Sequence, residues 1–176
     1  MKVLLVIDMQ HDFVDGTLGS QEALAIVNPL KERILKAKAE NNLVIYTKDT
    51  HYDNYLDSQE GLKLPVKHCI KGTFGWEILP NLLIKNAVIF EKESFGSLEL
   101  ANYLSKLNEK EKIEEIVLTG LCTDICVISN AMILKAALQE TPIKVDASLC
   151  AGVTPQSHIQ ALGAMQMCQI EIINNK

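Results

Sequence analysis

A thiol, a carboxylate and an amine brought together can cleave an acyl bond, and this chain offers all three beside apolar runs. Cys126 lies in Thr119-Gly120-Leu121-Cys122-Thr123-Asp124-Ile125-Cys126-Val127, where a strand gives way to a helix. In the first turn of that helix the backbone N–H groups and the macrodipole favour a thiolate, the nucleophilic form. Asp8 closes the apolar run Val3 to Ile7, and Lys92 ends another β-rich run in Phe90-Glu91-Lys92-Glu93-Ser94-Phe95. Each residue also has a plainer reading. Cys126 suits a small buried apolar position, Asp8 a turn cap, and Lys92 a solvated lysine among acids. Cys122 and Cys126, four apart, leave a metal or redox pair open as well.

A second group of donors follows in the middle of the chain. Asp49-Thr50-His51 sets a carboxylate and an imidazole on one side of an extended segment, with Glu60 and then His68 further on. Carboxylate and imidazole together suit Zn, Mn or Fe and leave positions free for water or substrate. D-x-H is a common pattern, and spacing alone favours a metal-free surface loop over a site.

These side chains need elements to hold them. Val3 to Ile7 is a continuous apolar run, the pattern of a strand buried on both faces. Leu24, Val27, Leu30, Ile34 and Ala37 recur at helical spacing over 23–41, where Asn28-Pro29 also reads as a cap and first turn. Further strands are expected near 43–47, 87–90, 115–119, 143–146 and 169–173, and helices near 97–107, 125–139 and 156–166. The alternation predicts one α/β domain over residues 1–176: a doubly wound sheet of about six mainly parallel strands with helices on both faces. Ligands of such sheets sit beyond the carboxyl ends of the strands. Asp8, Lys48-Asp49, Glu91-Lys92 and the 119–126 turn all fall there. Segment 48–75 has little regular pattern, and long ordered loops of this kind are usually functional.

Composition narrows the function classes. With 48% hydrophobic and 22% charged residues the chain has an ordinary globular balance. A net charge of -5 and scattered basic residues argue against nucleic-acid binding and favour a small-molecule partner. The N-terminal apolar run is too short for an export signal, and no stretch approaches the ~20 apolar residues of a membrane span. Five cysteines without a repeated spacing favour reduced thiols and a cytoplasmic setting. Cys69, Cys150 and Cys168 carry no evident chemistry.

Val6-Ile7-Asp8-Met9-Gln10-His11-Asp12-Phe13, Lys92 and the Gly120-to-Val127 segment together resemble the isochorismatase-like cysteine hydrolases. His68-Cys69-Ile70-Lys71-Gly72-Thr73-Phe74-Gly75 is similar, more narrowly, to the nicotinamidase branch. The resemblance implies Asp8 as the base for Cys126, Lys92 as the group that holds the carboxylate, and a cis peptide at Leu121–Cys122. Backbone N–H groups of Cys122 and Cys126 would form the oxyanion site. Cys126 would attack a small carboxamide and release ammonia, most simply converting nicotinamide to nicotinate. The cysteine itself favours amide over vinyl-ether hydrolysis. Asp49, His51, Glu60 and His68 would hold a divalent metal, and a homo-oligomer is expected.

The pattern departs from that branch in places. Where nicotinamidases usually carry an aromatic residue before the last metal-binding His, Leu62 to Lys67 offers only aliphatic residues, lysine and proline. The family's Tyr after the catalytic Lys is Phe95, and an expected Phe is Leu98. Phe13 and Phe95 are then the expected substrate walls, with Trp76 expected in core packing. A metal-independent cysteine amidase acting on a carbamoyl or ureido compound is the alternative, and a non-enzymatic binding relative a further one.

Overall fold

The computed structural model describes residues 1–175. Six parallel strands form one sheet: β1 (Lys2–Ile7), β2 (Leu43–Asp49), β3 (Val88–Lys92), β4 (Glu115–Leu121), β5 (Ile143–Ala151) and β6 (Glu171–Ile173). Their order across the sheet is β3-β2-β1-β4-β5-β6. Every pairing is parallel, which sharpens the expectation of mainly parallel strands. β1 lies inside the sheet, between β2 and β4. Its residues beyond Lys2 are all buried, as the unbroken apolar run requires.

Helices α1 (His11–Val14), α2 (Gln21–Ala39), α3 (Gln59–Lys63), α4 (Leu98–Lys110), α5 (Ile128–Ala137) and α6 (Pro155–Met167) join the strands. Right-handed crossovers decide which face each element covers. From β1 to β2 to β3 the chain steps one way, so α2 and segment 78–82 pack together under Leu4, Val6 and Val44. From β3 onward it steps the other way, and α4, α5 and α6 cover Val3, Leu5, Ile7 and Ile45. The two apolar layers flank the sheet.

Several local signals explain the boundaries. Ser20 accepts a hydrogen bond from the Ala23 amide and starts α2, so Asn28-Pro29 is not its beginning. Pro29 instead sits inside the helix on its exposed side, and Leu24, expected on the buried stripe, is 43% exposed. Ser97 caps α4, and Thr154 with Ser157 makes a capping box at α6. The helix expected at 125–139 is regular only from Ile128. Thr123–Val127 before it winds as a wider π-type turn. Among the described residues no helix is long and apolar enough to cross a membrane.

Candidate active site

Strand alternation carries the reactive side chains to one place. Ile45 and Phe90 belong to the core layer under α4 and α5. Two residues further along each strand, Thr47 and Lys92 point the same way, and Asp49 follows Thr47. Asp49 and Lys92 are direct partners in the β2–β3 ladder. Asp8 leaves the end of β1, and the turn holding Cys126 leaves the end of neighbouring β4. The strand order reverses direction between these two strands, the position where ligands bind in sheets of this topology.

The distances are short. Lys92 Nζ lies 2.7 Å from Asp8 Oδ2, 3.1 Å from Asp49 Oδ1 and 3.4 Å from Cys126 Sγ. Asp8 is fully buried, and Lys92 and Cys126 are each 4% exposed. Burial pushes the Cys126 thiol well above its ordinary value, the Asp8 charge adds to the rise, and Lys92 opposes it. Where the helix turn favours a thiolate, burial and the neighbouring Asp8 charge act against it. Burial also opposes the charge on Lys92, but Asp8, Cys126 and Asp49 together hold that lysine above its usual range.

Asp8 has a left-handed backbone, φ 47°, uncommon for a residue with a Cβ. Thr47 Oγ1 donates to Asp8 Oδ1 at 2.6 Å and accepts from the Asp8 amide at 3.2 Å. Gly120, at φ +107°, lies against β1 so tightly that an added Cβ would run into the Ile7 carbonyl oxygen. The Leu121–Cys122 peptide is cis, in line with the resemblance.

On the same cavity lies the donor cluster. One ligand atom from each of Asp49, His51, Glu60 and His68 falls within 4.8 Å of all the others. Asp49 Oδ2 is 3.0 Å from His51 Nε2 and 3.7 Å from His68 Nε2, and Glu60 Oε1 is 3.7 Å from both imidazoles. His68 Nδ1 meets the Val66 carbonyl at 2.8 Å, which assigns the proton there and turns the Nε2 lone pair to the cluster. His51 Nε2 is buried and, though 3.0 Å from Asp49 Oδ2, makes no aligned hydrogen bond there, as suits two ligand atoms that face one cation. The donor set and this unaligned pair fit a divalent metal. Tyr55 packs on both imidazoles and holds their planes.

A cavity of about 250 Å³ joins thiol and cluster. Asp49, Glu60 and His68 line one part, Cys122 and Cys126 another, with Phe13, Leu64, Phe95 and Ile125 between. Phe13 and Phe95 both line this cavity. Trp76 does not sit in the core: it is half-buried, with the Lys48 ammonium 3.0 Å over its ring and its Nε1 donating to Thr50 Oγ1. All five cysteines are free. Cys69 and Cys150 are buried and Cys168 is exposed.

Three positioning side chains had no signal in their spacing. Gln10 accepts from the Asp49 amide at 2.7 Å and donates to its carbonyl at 2.8 Å, fixing the strand end. Asn130 donates to the Cys126 carbonyl at 2.8 Å and accepts from the Ser97 amide at 3.0 Å. Thr47 is the third. Each is a polar residue buried by long-range packing, so only a polar interruption of an apolar pattern hinted at them.

A family model described as an isochorismatase domain matches residues 2–176. The chain belongs to this family. Family relatives include the nicotinamidase/pyrazinamidase of Mycobacterium tuberculosis, 26% identical over 190 residues and covering 98% of each chain. An uncharacterised isochorismatase family protein of Bacillus subtilis is 33% identical over 146 residues, covering 74% of this chain and 76% of its own. In structure the fold is similar to the pyrazinamidase of Pyrococcus horikoshii in complex with zinc. There the TM-score is 0.84 and the identity 27%, with 98% of each chain covered.

Proposed function

We propose that this chain, as one catalytic domain, hydrolyses nicotinamide to nicotinate and ammonia through a thioester on Cys126. The observation that carries the reading is a single cavity bordered by a buried thiol and a four-donor cluster, with a lysine that touches both that thiol and an acid. Asp8 Oδ2 takes the thiol proton as sulfur bonds to the carboxamide carbon and the carbonyl electron pair moves to oxygen. Backbone N–H groups of Cys122 and Cys126 hold that oxyanion. Collapse breaks the C–N bond, and the proton on Asp8 passes to the departing nitrogen. Asp8 then takes a proton from water, whose oxygen attacks the thioester. Nicotinate leaves and the proton returns to sulfur. Lys92 remains charged throughout, offsetting negative charge as it moves between Asp8 and Cys126.

Phe13 and Phe95 bound the ring, and a cavity of about 250 Å³ suits a single-ring amide. Asp49, His51, Glu60 and His68 would hold a divalent ion, which when bound would supply Lewis acidity for anchoring the substrate. The His51 nitrogen, facing Asp49 without an aligned hydrogen bond, favours this reading over a metal-independent carbamoyl or ureido amidase. Free cysteines support a cytoplasmic setting, and family resemblance supports a homo-oligomer. The test is ammonia release from nicotinamide by metal-loaded protein, with Cys126→Ala as control. Turnover lost in the control is expected, whereas no release above control at millimolar substrate overturns the reading.

A further inference from the structure

We infer that Thr47 is a positioning residue that latches Asp8 and commits its Oδ2 alone to proton exchange with Cys126. The inference rests on the amidase reading above. A hydroxyl has one proton to give and two lone pairs to receive with. At Thr47 the proton goes to Asp8 Oδ1 at 2.6 Å, and a lone pair receives the Asp8 amide at 3.2 Å. The two bonds close a ring around Asp8, whose left-handed backbone brings amide and carboxylate toward one hydroxyl. Such a conformation persists only where its surroundings over-determine it. Here Thr47 supplies two of the bonds, and the Gln10 amide, donating to the Asp8 carbonyl at 2.8 Å, a third.

The ring has a chemical consequence. Oδ1 gives a lone pair to the Thr47 O–H, whereas Oδ2 is buried without an aligned hydrogen bond and keeps its lone pairs open to a proton. Oδ2 faces the Lys92 ammonium at 2.7 Å, and the same ammonium reaches Cys126 Sγ at 3.4 Å. Lys92 therefore lines up the receiving oxygen with the sulfur while Thr47 withdraws the other oxygen. Thr47 is 1% exposed and water does not replace it readily. The groups facing Asp8 are Lys92 from β3, Asp49 from β2 and Cys126 from the turn after β4. Burial raises the Asp8 carboxyl above its ordinary value, while Lys92 and the Thr47 hydrogen bond both pull it back.

The experiment compares Thr47→Val and Thr47→Ser with the parent protein, after confirming equal metal content and cooperative unfolding. Thr47→Ala serves as a second hydroxyl deletion if valine does not fold. Loss of the hydroxyl is expected to lower kcat on the order of 10²-fold, the scale of a misplaced acid–base group. KM should stay within about threefold, because the latch acts on the reacting carboxylate and not on ground-state binding. The acid limb of the rate profile should move to higher pH, since Asp8 loses a donor to its charged form. Serine should restore both kcat and the limb. An unshifted limb with unchanged kcat in the valine and alanine variants, or a serine variant as impaired as valine, overturns the inference. Alkylation of Cys126 by iodoacetamide across the same pH range needs no amide substrate. If the parent protein fails to hydrolyse nicotinamide, a limb that still shifts on hydroxyl loss upholds the latch while the substrate reading falls. An unshifted alkylation limb overturns the latch by itself.

Discussion

Two carboxylates, Asp8 and Asp49, contact one ammonium group at 2.7 and 3.1 Å, in a place with almost no solvent. In metal-free protein, removing that ammonium leaves two buried carboxylates uncompensated, which is far more costly than losing a surface pair. Lys92→Met should lower stability by about 3–5 kcal/mol in urea denaturation and abolish hydrolysis. An unchanged denaturation midpoint would mean that the carboxylates are hydrated and the site is not as drawn. His158 gives a second residue-level expectation. Its Nδ1 lies 2.7 Å from buried Thr123 Oγ1, beside the turn that carries Cys126. Burial lowers the His158 pKa from 6.5, with Asp124 opposing. A base with a lowered folded pKa stabilises the fold above its unfolded value, and this contribution is lost as pH falls through it. Thermal midpoints should therefore fall less between pH 7.5 and 5.5 for His158→Gln than for the parent protein, a window of about one unit either side of an ordinary histidine.

The connection between elements is visible in α2 and in the turn before α5. Pro29 lies at an exposed interior position of α2, where it cannot donate to the preceding turn and crowds the carbonyl four residues back. Ser20 at the start and burial of Ala23, Ile26, Leu30 and Ile34 along one side keep the helix continuous through it. Pro29→Ala should restore a hydrogen bond and raise stability by about 1–3 kcal/mol, seen as a higher melting temperature without loss of activity. The turn Thr123–Val127 shows the opposite arrangement. It is not regular helix, and Asn130, Ser129 and Asp124 tie it to Ser97, to its own carbonyls and to Val153. Those bonds hold the Cys126 turn against neighbouring elements.

At the scale of the whole molecule, the donor cluster is assembled from three parts of the chain: the end of β2, α3 and the loop at His68. An ion bound there stabilises the folded state by mass action, because the unfolded chain cannot gather the four donors. Chelation should lower the melting temperature and added zinc should restore it, while His51→Ala should remove most of that response. Equal melting with and without chelator would contradict a metal at these residues.

The strands, their parallel arrangement and the strand-end positions of Asp8, Lys92 and Asp49 were legible because period and apolar runs report burial locally. The motifs around Asp8, His68 and Cys126 marked residues that the fold brings together for the same reason: their signal is contiguous. What only the tertiary structure decided was the burial of Cys126 beside Lys92, the place of Trp76 under Lys48, and the holds exerted by Thr47, Gln10 and Asn130. Each depends on which distant groups share a water-free volume. Dehydration and hydrogen bonding act through space, and spacing along a chain does not encode them.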